Sequence, residues 1–128
     1  MLASASKILL SIVLLGILVF AFAPGNWTPA WVVNHDKFSH MVVFFVLAFV
    51  LKFAFPKMKM ILLLALLVLF AVLIEYLQLT FFNRGFSSVD ILYDLIGISL
   101  FVFLKGSVPF LAERISVKKG TEPFKANE

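Results

Sequence analysis

Six polar residues carry groups that could do chemistry, and they form three pairs at the three- or four-residue spacing of one helix face. The pairs are Lys37 and His40, Glu75 and Gln78, and Asp90 and Asp94. An imidazole titrates near neutral pH, and a carboxyl group in apolar surroundings can carry a proton. The chemistry that this set suggests is proton transfer, with His40 or Glu75 as the acid or base.

Cationic residues near these pairs suggest anion binding as well. Lys37 opens the second apolar run and Arg84 follows the third, and both side chains can bind a phosphate or a carboxylate. With Asp36, which precedes Lys37, the predicted pocket contains eight residues: Asp36, Lys37, His40, Glu75, Gln78, Arg84, Asp90 and Asp94.

Each residue at the edge of this set also has a structural explanation. Asp36 and Asp90 stand at predicted helix N-termini, where the helix dipole favours an acid. Lys37 and Arg84 have the positions of residues that anchor a helix at lipid headgroups. These four residues alone therefore do not establish a binding site.

The inner residues are harder to explain as structure alone. His40 could form a hydrogen bond between helices, and Glu75 with Gln78 could do the same. Glu75 and Asp94 lie in apolar surroundings beyond any capping turn, so they need protons or cations. Ionisable residues of this kind inside apolar segments favour a functional site.

Other chemistries find less support. The chain has no cysteine, and no pair of candidate ligands has a recognised metal spacing, so neither a metal nor a cofactor is expected. Motifs for a serine nucleophile, a phosphate-binding glycine loop and a zinc protease helix are absent. Ser87 to Asp90 instead predicts a capping box, in which the serine hydroxyl accepts one backbone N–H and the acid accepts another.

The composition determines which elements must position these groups. Of 128 residues, 62% are hydrophobic, against roughly 45–50% in soluble domains. Four apolar runs approach the roughly 20 residues that cross a bilayer. The sequence therefore predicts an all-α integral membrane protein of four transmembrane helices with short loops. A soluble catalytic domain does not fit in the remaining residues.

The predicted helix boundaries follow from charges and helix breakers. They are Ile8 to Ala23, extendable back to Leu2; Asp36 to Phe55; Met60 to Phe82; and Ser87 to about Leu104. Ala21-Phe22-Ala23 has the form of a signal-peptide cleavage site, but Pro24 favours an uncleaved helix. Val108 to Ile115 is expected to lie at the interface. The membrane domain would thus occupy residues 1–111, and a disordered polar tail residues 112–128.

Basic residues are distributed unequally between the two ends of the predicted bundle. Nine of the eleven lie at the termini and the second loop, leaving only Lys37 and Arg84 at the other end. The sequence therefore predicts a multi-pass protein of the inner membrane. The positive-inside rule places both of its termini in the cytoplasm, so the polar pocket would face outward. Gly97 would allow the fourth helix to approach the second and third closely.

The order of these residues resembles that of the VanZ-like family of small bacterial membrane proteins, over residues 36–104. The matching residues are Asp36-Lys37, His40, Glu75, Gln78, Arg84, Ser87 or Ser88, Asp90 and Gly97. Asp94 departs from the asparagine that is usual in the family. The resemblance implies a four-helix cell-envelope protein that influences glycopeptide susceptibility, and it implies no particular reaction.

Two functions follow as hypotheses. In the first, a non-enzymatic envelope protein binds a lipid headgroup, a cell-wall precursor or a glycopeptide in the outward-facing pocket. In the second, a small membrane enzyme acts on a lipid-linked or phosphate-bearing substrate, with Glu75 or His40 as the acid or base. Transport and a purely structural bundle are less favoured. Membrane lipids are the expected partners, and nucleic acid is not.

Overall fold

The computed structural model of the chain describes the backbone of residues 2–23, 30, 35–81 and 85–120, with side chains described between residues 4 and 108. Four α-helices form this part of the chain: α1 Leu2–Phe22, α2 Asp36–Ala54, α3 Met60–Phe81 and α4 Ser88–Gly120. Each contains a stretch long and apolar enough to cross a membrane. The predicted all-α arrangement of four such helices is confirmed.

The fourth helix differs from its predicted extent. It does not end near Leu104 but continues through Gly106 and Pro109 to Gly120. An interior glycine costs a helix up to about 1 kcal/mol, and an interior proline, which loses a hydrogen bond and clashes with the carbonyl four residues earlier, costs about 3 kcal/mol or more. The helix nevertheless continues through both residues. Val108 to Ile115 are therefore part of α4 and not a separate segment, while their position at the membrane interface stays a prediction. The predicted disorder of the tail is wrong for the residues up to Gly120, which are helical, and residues 121–128 lie outside the described residues.

The core of the bundle runs along α2 and α3. α2 packs most extensively against α4 and also contacts α1 and α3. Ala48, Leu63 and Ala71 are completely buried. The Phe44 and Phe70 rings of α2 and α3 lie 6.1 Å apart between centroids, a favourable separation for aromatic pairs. Many apolar side chains on the outer faces remain exposed, as expected for helices that contact lipid.

Helices α2 and α4 approach each other closely at Gly97. A Cβ atom at this position would collide with the carbonyl oxygen of Met41 on α2 and would lie 3.0 Å from the backbone nitrogen of Phe45. The predicted role of Gly97 in close helix approach is thus confirmed for α2. Because Asp94 lies one turn before Gly97 and His40 directly precedes Met41, this contact brings the two polar side chains together.

The opposite end of the bundle is the short turn between α2 and α3. The Lys52 ammonium group donates hydrogen bonds to the carbonyl oxygens of Pro56 and Met58, at 2.8 and 2.7 Å. Lys57 and Lys59 in the same turn are exposed. Lys52, Lys57 and Lys59 therefore lie about 28 Å, the length of α2, from the helix ends that carry the acidic residues.

Candidate functional site

The polar residues meet at the end of the bundle where α2 and α4 begin and α3 ends. We call this cluster the polar site, and it consists of Asp36, Lys37, His40, Glu75, Asp90 and Asp94. Three helices supply it, because the antiparallel order of α2, α3 and α4 places two N-termini and one C-terminus at the same level. Six of the eight predicted pocket residues thus lie at one end of the bundle.

A buried pair of side chains forms the centre of the polar site. His40 Nδ1 lies 2.9 Å from Asp94 Oδ1, and the Asp94 side chain is only 1% exposed. With Asp94 ionised, Nδ1 is the donor in this hydrogen bond, because an ionised carboxylate can only accept. Asp94 therefore fixes the orientation of the imidazole ring and leaves Nε2 on the side away from it.

The Nε2 side of the ring faces two more carboxylates. Asp36 Oδ1 and Asp90 Oδ2 each lie 4.0 Å from His40 Nε2. Lys37 Nζ lies 3.9 Å from Asp90 Oδ1, and its side chain is half exposed. The sequence analysis placed Asp36 in the pocket but paired His40 with Lys37, although the four-residue spacing of Asp36 and His40 also places these two on one helix face.

Glu75 belongs to α3, and its side chain hydrogen-bonds to the backbone at the start of α4. Its Oε2 atom accepts a 2.9 Å hydrogen bond from the backbone N–H of Ser87, while Oε1 is buried with no hydrogen-bond partner in the part of the chain that the structure describes. The carboxylate is 1% exposed. Glu75 therefore connects the end of α3 to the start of α4 with one oxygen and leaves the other unused.

The predicted capping box is only half formed. The Ser87 hydroxyl accepts from the backbone N–H of Asp90 at 3.1 Å, as predicted. The other half of the prediction is wrong, because the acid that accepts from the Ser87 N–H is Glu75 and not Asp90. The Glu75 carboxylate of α3 accepts the Ser87 N–H in place of Asp90, so the Asp90 carboxylate can face His40 and Lys37.

The two remaining predicted pocket residues have different outcomes. The Gln78 side-chain amide donates to the carbonyl oxygen of Ala21 at 2.9 Å, which ties α3 to the end of α1. Gln78 therefore acts as the interhelical hydrogen bonder that the alternative explanation expected. Arg84 lies outside the described residues.

The charges of the polar site are unequal. Its described residues include four carboxyl groups, one ammonium group and one imidazole, and both Glu75 and Asp94 are fully buried. Buried carboxylates are stable only when they are paired, protonated or bound to a cation. The polar site therefore favours an additional positive charge close to Asp36 and Asp90.

Comparison with protein-family models, with curated proteins and with solved structures finds no match to this chain.

The geometry of the polar site permits two kinds of chemistry. The first is proton transfer at His40 Nε2, because a carboxylate that orients an imidazole is a common feature of general bases. The second is cation binding, because ligand atoms of Asp36, His40 and Asp90 all lie within 4.8 Å of one another. The spacing of residues within one helix gave no indication of cation binding by these three residues. Asp36 and His40 belong to α2 but Asp90 belongs to α4, and spacing does not show that the two helices meet.

Proposed function

We propose that this chain is a VanZ-like, multi-pass membrane protein of the cell envelope whose polar site binds the polar part of a ligand at the membrane surface. The ligand would be a lipid headgroup, a cell-wall precursor or a glycopeptide, and its binding would affect antibiotic susceptibility. The observation that carries the proposal is the burial of Glu75 and Asp94, both held by specific contacts, in an otherwise apolar bundle.

The energetic cost of these groups supports a functional role. A bundle selected for stability alone would gain from apolar side chains at these positions, because buried ion pairs seldom repay their desolvation. The half-exposed Asp36 and Lys37 lie beside the buried groups and connect them to the surface. The residues that carry the VanZ-like resemblance include five members of the polar site, namely Asp36, Lys37, His40, Glu75 and Asp90.

We further propose that both chain termini are cytoplasmic and that the polar site faces outward. Support comes from the exposed lysines at the α2–α3 turn, at the other end of the bundle. Single cysteines at Gly85 and Lys57 test this orientation, because the chain has no cysteine of its own. In intact cells, a membrane-impermeant maleimide should label Gly85→Cys and leave Lys57→Cys unlabelled until the cells are opened. The reverse pattern would place the polar site in the cytoplasm.

Ligand binding predicts that the chain retains phosphate-bearing lipids better than diacylglycerol. Retention is measured by native mass spectrometry of the full chain after exchange into defined lipid mixtures. Lys37→Ala should weaken retention about 2- to 5-fold, which corresponds to the roughly 1 kcal/mol of one exposed ion pair. Lys57→Ala, an exposed lysine at the opposite end, is the matched control and should have no effect. Equal retention of both lipid classes, or equal effects of both variants, would contradict headgroup binding at the polar site.

The alternative is a small membrane enzyme, and the Asp94–His40 hydrogen bond of 2.9 Å favours it specifically. His40 is the better acid or base of the two candidates, since a fifth of its side chain is exposed while Glu75 is enclosed and holds Ser87. Product analysis of the same lipid samples separates the two functions. Conversion of a phosphate-bearing lipid that His40→Gln abolishes without loss of retention would replace the binder proposal by the enzyme.

A further inference from the structure

We propose that Asp36, His40 and Asp90 bind one divalent metal ion, with Asp94 as the residue that positions His40. The ligand atoms would be Nε2 of His40 and one carboxylate oxygen from each aspartate. Two turns of α2 and the first turn of α4 supply them, so the ion would join the two helices that pack most extensively.

The distances suit an ion at the centre of the three groups. His40 Nε2 lies 4.0 Å from both carboxylates, and the three ligand atoms lie within 4.8 Å of one another. Bond lengths of about 2.1 Å in a tetrahedral zinc site separate ligand atoms by roughly 3.4 Å. The Asp36 side chain is half exposed, so a small rotation is enough to bring its carboxylate closer.

The orientation of His40 has the form that metal-binding histidines adopt. Such a histidine usually donates its other ring N–H to a carboxylate, which fixes the tautomer and directs the free nitrogen at the metal. Asp94 accepts this hydrogen bond at 2.9 Å. Among the described residues, Nε2 has no hydrogen-bond partner, because its two neighbouring carboxylates at 4.0 Å are beyond hydrogen-bonding distance.

Asp90 provides an independent observation that points to a ligand. Its side chain is 12% exposed, and its Oδ1 atom is buried with no hydrogen-bond partner among the described residues, while Oδ2 is the oxygen that lies 4.0 Å from His40 Nε2. The Ser87 N–H, which the acid of a capping box ordinarily accepts, donates to Glu75 and not to Asp90. Among the described residues, the nearest cationic group to Asp90 is the half-exposed Lys37 ammonium at 3.9 Å, and a metal ion would place a second positive charge against the carboxylate.

The donor set indicates the class of ion. One imidazole nitrogen with two carboxylate oxygens suits Zn²⁺ or Mn²⁺ better than Mg²⁺ or Ca²⁺, which prefer oxygen ligands alone. Three protein ligands leave at least one position open for a water or a ligand oxygen. The carboxylates alone would repel the negative charge of a phosphate, and the bound ion would supply the positive charge that attracts it. Only this last step rests on the proposed function.

The test is a calorimetric titration of the chelator-treated full chain in detergent with Zn²⁺, and with Mg²⁺ for comparison. We expect one Zn²⁺ per chain and much weaker binding of Mg²⁺. Asp94→Asn should weaken Zn²⁺ binding about 10- to 100-fold, as loss of an orienting carboxylate does elsewhere, and His40→Ala should weaken it further. His35→Ala changes the other histidine of the chain, which is exposed, and should leave binding unchanged.

A second measurement needs no variant that could fail to fold. Co²⁺ added to the wild-type chain should give visible absorption bands of a nitrogen- and oxygen-bound ion, and Zn²⁺ should abolish them. Absence of stoichiometric Zn²⁺ binding and of these bands would overturn the metal site, as would equal losses in His35→Ala and His40→Ala. Lipid retention is measured with and without Zn²⁺: retention without any Zn²⁺ binding would remove the metal site alone, and Zn²⁺ binding without lipid retention in either state would remove headgroup binding alone.

Discussion

Gly97→Ala is expected to destabilise the bundle by roughly 1–3 kcal/mol, the usual cost of forcing an extra carbon into a packed interface. The new methyl group would collide with the Met41 carbonyl, which belongs to the backbone of α2 and cannot rotate away. The two helices must therefore separate, and this also pulls Asp94 away from His40. Reversible unfolding in mixed micelles, followed by circular dichroism, measures the loss.

Gly106→Ala is the matched control because it lies in the same helix with open space around it. There alanine gains helix propensity, worth up to about 1 kcal/mol, without any collision. This variant should be as stable as the wild type or slightly more stable. If both variants shift the unfolding midpoint equally, the cause is the helix itself and not the contact between α2 and α4.

The elements of the fold could be predicted from the sequence because they depend on local signals. Apolar runs of membrane-spanning length predict the helices themselves. Asp36 predicts the start of α2, the turn after Phe55 separates α2 from α3, and the serines before Asp90 predict the start of α4. Three of the four helices are defined closely in this way. The end of α4 could not be predicted in this way. Gly106 and Pro109 are ordinary helix breakers, and the proline alone costs a helix interior about 3 kcal/mol or more, yet α4 continues through both.

The polar site was predictable as a set of residues and not as a set of contacts. Periodicity places Asp90 and Asp94 on one face of α4, but it does not show which helix this face meets. The decisive contact is at Gly97, where the absence of a side chain determines the register between α2 and α4. The bond of Glu75 to the Ser87 N–H had no sequence signal, since it replaces a local capping interaction that the sequence favoured.

The Asp94–His40 pair provides the second large expected effect. Asp94→Ala should destabilise the bundle by about 3 kcal/mol, at the lower end of the range for breaking a buried pair, because His40 keeps some exposure. The variant leaves the Nδ1–H group without its acceptor and leaves a void beside Gly97. Unfolding midpoints in the same mixed micelles give the comparison with the wild type.

Asp36→Ala is the matched control, since Asp36 is also a carboxylate near the His40 ring but its side chain is half exposed. Its loss should cost less than about 1 kcal/mol, as for other exposed ion pairs. Asp94→Asn should fall between the two, because the amide oxygen can still accept from Nδ1 but carries no charge.

A double-mutant cycle separates the pair from its surroundings. If the 2.9 Å hydrogen bond is the source of the stability, His40→Ala should cost clearly less in the Asp94→Ala background than in the wild type. Strictly additive effects would show that Asp94 is stabilised by burial and packing alone. In that case the imidazole would be oriented by α2 itself, and Asp94 would lose its role as the positioning residue of both the proton-transfer and the metal-binding chemistry.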